Sequence, residues 1–440
     1  MATPELQVEY QRQVRPGWYT VYLVIVALAG WALASYDFNL LTLTMPNIAS
    51  DLHLSSTLVG LLGFFVYAAE FIITLFVGYG MDRLGRRWMW QFSLVFAAIF
   101  TGLTYFVGNY TELAVVRALA SGFAMSELAI SVTLVNEQLE ARRRGLLYSI
   151  VQGGWPLGVF LASGVYLAFI GHGWRTVFLL GVIPIIFVII ARIWVRESDR
   201  FLHMKKVKQA LKEGNQDEVE RLLKLYPVDT THADEVTWRQ LFSVKGYVRR
   251  QVSLLTVVWL CYATSYVATN VYITYWLTKY DGWTATQAAN MLLIAGGIGY
   301  FFYVLGGVLG ERFGRKSVLV ISGMLTAPLN LVFMFIHGHT VVFILYFVIY
   351  QVTNGTWSGA GYAYWGESFP TRVRGTAIGF LGSIFTGGLL LGSLIWTLLI
   401  SVTSATVTWI IIAVVISLGQ WIALALPNIK PGTELEEIAV

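Results

Sequence analysis

The sequence predicts an all-α membrane protein of twelve transmembrane helices, built as two six-helix pseudo-symmetric bundles, and three observations carry that prediction. Of 440 residues, 56% are hydrophobic and only 12% are charged, about half the charge of a typical soluble domain. So few charges could not cover the surface of a soluble fold. The 15% of aromatic residues and the 42 glycines fit the same class, since glycine is commoner in membrane helices than in soluble ones. The second observation is a series of long apolar runs, and the third is an internal repeat.

A helix crossing the hydrocarbon core needs about 20 mostly apolar residues. Twelve runs meet that length, over roughly 19 to 46, 57 to 80, 88 to 108, 111 to 136, 146 to 170, 174 to 195, 252 to 279, 285 to 310, 317 to 336, 340 to 366, 375 to 400 and 404 to 426. Each is too long for a barrel strand of about ten residues. The first run lacks a short basic leader and is too long for a signal-peptide core, so no cleavage is expected.

Sidedness follows from the basic residues, because cytoplasmic loops carry the excess of Lys and Arg. With the N-terminus inside, Arg83, Arg86, Arg87, Arg142 to Arg144, Arg312, Arg315, Lys316, Arg372 and Arg374 all fall in alternate loops on one side. Arg117, Arg175 and Lys279 lie elsewhere. Both termini are therefore expected in the cytoplasm, in a multi-pass protein of the inner or plasma membrane. The long polar stretch from Arg196 to Arg250, with 12 basic and 9 acidic residues, reads as two short helices broken at Gly214 and capped by Asn215. It divides the chain into an N-terminal bundle (1–195), a cytoplasmic helical linker (196–250) and a C-terminal bundle with a short tail (251–440). The linker is open to two readings, a solvated connector or a regulatory docking site.

The repeat is the most specific signal. After the second run stands GYGMDRLGRR, with Gly78, Asp82, Arg83, Gly85, Arg86 and Arg87; after the eighth stands GVLGERFGRK, with Gly307, Glu311, Arg312, Gly314, Arg315 and Lys316. The two are offset by 229 residues. Glu137, Arg144 and Gly145 after the fourth run match Glu367, Arg374 and Gly375 after the tenth, offset by 230. Two motif pairs at one offset indicate a duplicated six-helix unit, the architecture of carriers whose solute site lies between the repeats near the bilayer midplane.

On these motifs the chain resembles the major facilitator superfamily over essentially its whole length. The G-x-x-x-D-R-x-G-R-R pattern is that superfamily's signature, and the second copy departs from it only by Glu311 in place of Asp. ESFPTRVRGTAIGF (367–380) and WVRESDRF (194–201) resemble its metabolite:proton symporters, a group with sugar, aromatic-acid and sialate or lactate branches. The sugar-porter ending P-E-S-P-R is altered here to Arg196, Glu197, Ser198, Asp199, Arg200. SYDFNLLTLTMP in the first run resembles the acid-carrying branches more closely.

Asp82, at the end of one helix, can sit on the positive N-terminus of another, and Gly78 one turn earlier permits close approach. The resemblance implies the partners: the start of the eleventh helix near Gly375 for Asp82, and the start of the fifth near Gly145 for Glu311. Gly78, Asp82, Arg83, Gly85, Arg86, Arg87, Glu137, Arg144, Glu311, Arg312, Arg315, Glu367 and Arg374 are thus gating candidates, latching the inner side in the outward-facing state. The basic members also set topology.

Asp37, Glu70, Arg117 and Glu127 fall within predicted spans, where each costs on the order of 2.5 to 3.5 kcal/mol and signals function by default. At about 1.5 Å per residue, Asp37 and Arg117 lie roughly 14 and 9 Å below the outer surface. They can meet. Burial and an adjacent arginine pull an aspartate in opposite directions, so Asp37 can load a proton and free Arg117 to bind a substrate carboxylate; a static pair is the alternative. The sugar-type symporters of the superfamily resemble this arrangement. Glu70 and Glu127 are candidates for further proton carriers or for structural carboxylates.

The resemblance implies a cavity lined by the first, fourth, seventh and tenth helices. Candidate substrate groups are Tyr36, Asn39, Arg117, Gln152, Trp155, Asn270, Tyr272, Tyr275, Trp276, Asn354 and Trp357, whose amides and aromatic faces suit a small polar organic solute. Each can equally serve packing or the membrane interface. Gly153, Gly154 and Gly158 around Pro156 indicate close helix contact or a bend.

Other chemistries are excluded. One cysteine, Cys261, allows neither an internal disulfide nor a cysteine metal cluster, and His53, His172, His203, His232, His337 and His339 form no ligand spacing. GERFGRKS lacks the G-x-x-x-x-G-K-[ST] of a phosphate loop. No cofactor, no metal, no nucleic acid and no enzymatic nucleophile is expected. The expected partners are a small-molecule substrate, protons and the bilayer, with the monomer as the functional unit. The sequence thus predicts a proton-coupled symporter of a small organic acid working by alternating access; a sugar importer, a drug or metabolite exporter and a solute-sensing transceptor are the alternatives.

Overall fold

A computed structural model describes residues 17–54, 56–139, 144–225, 241–242, 246–271, 273, 276–277, 281–283, 285–370 and 373–429. Six helices form the first half: α1 (Gly17–Asp51), α2 (Ser56–Leu84), α3 (Arg86–Leu103), α4 (Tyr110–Gln138), α5 (Arg144–Gln152, resuming at Gly154–Phe169) and α6 (Trp174–Ala191). Two polar helices follow, α7 (Asp199–Lys212) and α8 (Gln216–Leu225). The second half holds α9 (Tyr247–Tyr266), α10 (Ala285–Phe313), α11 (Arg315–Phe333), α12 (His339–Glu367), α13 (Arg374–Val402) and α14 (Ala405–Ala425). Among the described residues eleven of these helices are long and apolar enough to cross a bilayer, and α10, 29 residues long, supplies the twelfth crossing.

Local chemistry sets where the helices stop. Gly85, Gly173, Gly314 and Gly338 have φ between 87° and 107°, a left-handed conformation that glycine adopts without penalty, and each separates two spans. Asn109 caps α4 by accepting from Glu112 N at 3.0 Å, and Ser404 caps α14 by accepting from Val407 N at 3.2 Å. In the polar segment Gly214 has φ 69° and Asn215 accepts from Glu218 N, so the break falls at Gly214 and the cap at Asn215.

Within the first half α1 packs on α5, and α4 on α2 and α3; within the second, α9 packs on α13 and α14, and α10 on α12. The halves meet where α2 crosses α13 and where α5 crosses α10. At Gly158 a Cβ would stand 2.2 Å from Ala32 O and 2.7 Å from Tyr36 N, so the bare backbone is what lets α5 lie against α1. Large apolar side chains such as Phe76, Phe106, Phe187, Phe301 and Phe335 are exposed around the outside. Lipid is the solvent that makes such a surface favourable.

The helices depart from regularity near mid-membrane. α5 is interrupted at Gly153, while wider π turns occupy Val267–Val271 after α9, Tyr350–Thr356 in α12 and Ile410–Val415 in α14. Such turns often mark functional sites in helices, and the α12 turn carries Asn354.

Candidate functional site

One end of the molecule carries the basic loops, and there the halves are tied together. Asp82, closing α2, accepts from Gly375 N at 3.2 Å, Thr376 N at 2.7 Å and Thr376 Oγ1 at 2.6 Å. Its carboxylate therefore caps the N-terminus of α13, where backbone donors and the helix dipole favour negative charge. The approach depends on Gly78, whose added Cβ would lie 2.5 Å from Gly379 Cα. In the second copy Glu311 Oε1 accepts from Leu146 N at 2.8 Å, capping α5. Buried Glu137 joins Arg86 at 3.1 Å to Arg374 at 3.0 Å, bridging the halves, and Arg315 pairs with Glu367 at 2.8 Å. Gly85 supplies the turn that brings Arg86 back toward Asp82 at 3.1 Å.

Two gating candidates stand apart from this network. Arg83 and Arg312 are exposed, set over the rings of Tyr79 and Phe313, with no ion pair among the described residues. Both follow an acidic residue by one position, which turns them about 100° away on a helix. Arg87 donates to Ile193 O at 3.0 Å instead of to an acid. The side chain of Arg144 lies outside the described residues. Glu197 was not singled out for the gate, yet its carboxylate accepts from Arg86 N and Arg87 N, both at 3.1 Å, and so caps α3. The desolvation that accompanies its burial pushes its carboxyl above the ordinary range.

The interior of the first half is charged. Arg117 Nη2 meets Asp37 Oδ2 at 2.8 Å and Nη1 meets Oδ1 at 3.2 Å, a two-pronged pair with both side chains buried. Thr101 also donates to Asp37 Oδ1 at 2.6 Å, and Phe178 lies beneath the guanidinium. Glu70 Oε1 accepts from Ser121 at 2.5 Å while its buried Oε2 has no partner. Glu127 Oε1 accepts from Trp90 Nε1 at 2.8 Å and Arg192 Nη2 at 2.6 Å. Arg192 is fully buried at the end of α6.

Between the halves is a small cavity lined by Trp31, Gln152, Trp155, Tyr262, Tyr266, Tyr303, Asn354, Ser358, Tyr362 and Phe385. Tyr262 and Tyr303 donate to Asn354 Oδ1 at 2.9 and 3.3 Å. Asn354 Nδ2 and Gln152 Oε1 are buried without partners, leaving one donor and one acceptor open in an aromatic setting. That is the composition of a small-molecule site.

Of the substrate candidates among the described residues, Gln152, Trp155 and Asn354 line this cavity, and the others sit elsewhere. Tyr36 is buried against α6, its hydroxyl beside Gly181; it lies about 140° around α1 from Trp31, which does face the cavity. Asn39 turns back to Ser35 O at 2.7 Å, and Asn270 to Thr269 Oγ1 at 2.9 Å. Trp357 is buried behind Tyr262, stacked on it at 5.0 Å. Trp276 packs on Trp409 and faces a separate pocket at the opposite end. Arg117 is held by Asp37 inside the first half and does not line the cavity. Tyr272 and Tyr275 lie outside the described residues. Lining residues not predicted as substrate groups had a readable signal: Tyr262 and Tyr266 on α9, and Ser358 and Tyr362 on α12 in step with the predicted Asn354, recur every four residues on one helical face.

The comparisons with known proteins agree with this fold. The family model described as Major Facilitator Superfamily matches residues 27–307 and 255–438. The chain is 27% identical over 376 residues to the niacin transporter NiaP of Acinetobacter baylyi, covering 83% of each chain. It is 25% identical to a probable 4-methylmuconolactone transporter of Cupriavidus pinatubonensis, covering 80% of this chain and 77% of that one. Among solved structures, the proton:xylose symporter XylE bound to 6-bromo-6-deoxy-D-glucose superposes with a TM-score of 0.73 at 20% identity, over 96% of this chain and 98% of that one. These relatives are transporters. A twelve-helix fold, contacts between the halves at both copies of the repeat and a family model spanning nearly the whole chain together establish that this multi-pass protein of the inner or plasma membrane is a metabolite transporter of the major facilitator superfamily.

Proposed function

We propose that the protein is a proton-coupled symporter that imports a small organic acid by alternating access, with the basic end and both termini in the cytoplasm. The observation that carries the reading is the buried Asp37–Arg117 pair. A buried ion pair is stable only while both partners are charged, and removing one charge leaves the other uncompensated. Protonating Asp37 from the outer side frees Arg117, and that switch ties a hydrogen ion to the change of state. Asp82, Glu311 and the Glu137 bridge hold the cytoplasmic side shut until then, with Gly78, Gly85, Arg86, Arg315, Glu367 and Arg374 completing the latch. Residues 1–195 and 251–440 act as the two rocking units, and 196–250 joins them.

The acid is read in the cavity between the halves. Gln152 and Asn354 present amide groups to its polar end, and Trp31, Trp155, Tyr262 and Tyr266 present ring faces to its body. Relatives named for niacin and muconolactone support an acid of planar shape. A second reading, import of a sugar, is favoured by the likeness of fold to a proton:xylose symporter. A thermal-shift panel of carboxylates, sugars and amines on the purified protein separates the two, because a ligand that binds only the folded state raises the melting temperature. An aromatic monocarboxylate such as nicotinate is expected to shift it and xylose is not. Uptake of the selected acid into proteoliposomes is then expected to rise when the outside is acidified; uptake indifferent to the pH gradient would contradict proton coupling.

A further inference from the structure

Arg192 has no role in the reading above, yet it is among the most costly residues in the molecule. It is fully buried at the end of α6, stacked on Trp90 with its guanidinium carbon 4.0 Å from the ring centre. Its Nη2 binds Glu127 Oε1, while Nε and Nη1 have no partner. A buried arginine that satisfies so few of its five donors is poorly compensated. The fold makes room for it: a Cβ on Gly30 of α1 would collide with Arg192 Nη2 and stand 2.5 Å from Glu127 Oε1. Three helices therefore accommodate one ion pair.

The pair does not stand alone. Asp37 and Glu127 line the same small pocket inside the first half, walled otherwise by apolar groups including Leu33, Leu94, Ala97, Phe123 and Ile185. The pocket has room for about one water, and the two carboxylates are its ionisable lining groups. Around Glu127 stand Trp90 from α3, Arg192 from α6, Tyr148 from α5 and, across the pocket, Asp37 from α1; Tyr22 lies beside Arg192. Around Asp37 stand Arg117, Thr101 and Glu70. Each carboxylate has its own arginine, and the pocket lies between the two pairs.

We propose that Glu127 is the inner member of a two-carboxylate proton relay in the first half, with Arg192 as the residue that positions it. The O–H bond of protonated Asp37 breaks toward a water in the pocket as that water passes a proton to Glu127, so one proton moves and no other species changes. Asp37 regains its charge and its pair with Arg117, and Arg192 is released from Glu127. Because ionised Asp37 is locked by Arg117, the path opens only after the outer carboxylate has been loaded. The inference rests on Asp37 as the proton acceptor and adds its destination.

Infrared difference spectra between acid and neutral pH, recorded without solute on the full-length protein in lipid bilayers, test this. Glu127→Gln is expected to remove one protonated-carboxyl band and to shift the midpoint of the band that Asp37→Asn removes by about one pH unit, the mark of coupled sites. Arg192→Gln is expected to move the midpoint of the Glu127 band while the Asp37 band persists. Ala97→Val, which fills the pocket and touches neither ion pair, is expected to shift both bands. Glu127→Gln spectra that retain every band, or that lose one while the Asp37 band stays fixed, overturn the relay; so do Ala97→Val spectra identical to those of the unsubstituted protein. The coupling reading fails separately, if Asp37→Asn still accumulates solute.

Discussion

The two halves descend from one repeat and are alike at their basic ends, but their interiors have parted. The first half buries Asp37, Glu70, Arg117, Glu127 and Arg192 among its helices. In the second half the buried charges among the described residues are Arg315, Glu367 and Arg374, all at the basic end. The offset of 229 or 230 carries Asp37 to Tyr266 or Val267, Glu70 to Gly299 or Tyr300, Arg117 to Tyr346 or Phe347, and Glu127 to Thr356 or Trp357. No charge survives at any of the four. The second half instead holds an aromatic cluster in which Trp259 contacts Tyr262, Trp357, Tyr362 and Trp365 and Tyr262 stacks on Trp357. Both halves keep the motif contacts at the basic end, while the buried interior charges stand in the first half and the aromatic cluster in the second.

Breaking the ionic half should have the largest effect. Arg117→Ala strands a buried carboxylate, a loss of roughly 3–5 kcal/mol, and the melting temperature of the purified protein is expected to fall accordingly; Arg117→Ala with Asp37→Asn should recover part of it. Breaking the aromatic half should spare stability more and binding less. Asn354→Ala removes the acceptor shared by Tyr262 and Tyr303, and isothermal titration with the acid chosen by thermal shift is expected to show affinity weakened about tenfold, or about 1.4 kcal/mol.

The shared latch gives intermediate effects. Asp82→Asn gives up a charged cap on α13 for a neutral one, a change of about 0.3–2 kcal/mol. It is expected to speed labelling of cysteines placed on the closed side, without altering the solute's affinity in the outward state. The smallest effect belongs to Glu197. Its carboxyl is raised by burial, so the stability it contributes is present below the unfolded value near about 4.3 and declines as pH rises through the higher folded value. Glu197→Gln is expected to flatten the melting temperature between mildly acidic and neutral pH by a few degrees at most.

Much of this comparison is legible in the sequence. The bilayer fixes helix length, so twelve spans stand out, and the family resemblance carried by the repeated motifs implies the contacts of Asp82 with α13 and of Glu311 with α5. Depth along a helix is countable, which is why a meeting of Asp37 with Arg117 can be read from their positions. Rotation about the helix axis is harder. Tyr36 and Trp357 share helices with cavity residues and face away from the cavity, a distinction set by how α1 and α12 are turned against their neighbours. Arg192 is hidden differently: it stands at the boundary between a span and the basic linker, where its charge reads as topology, and only the fold of α6 against α3 and α4 draws it inward. Arg83 and Arg312 are the opposite case, motif residues whose charge stays in solvent.

The division of labour is tested most directly by comparing Asp37→Asn with the unsubstituted protein in proteoliposomes loaded at neutral pH and diluted into acid. Accumulation of the acid above equilibrium is expected to vanish in the variant, while exchange of labelled for unlabelled acid across the same membranes continues, because the solute cavity between the halves does not include Asp37. Accumulation that persists in the variant at the original level would contradict the assignment of proton coupling to the first half.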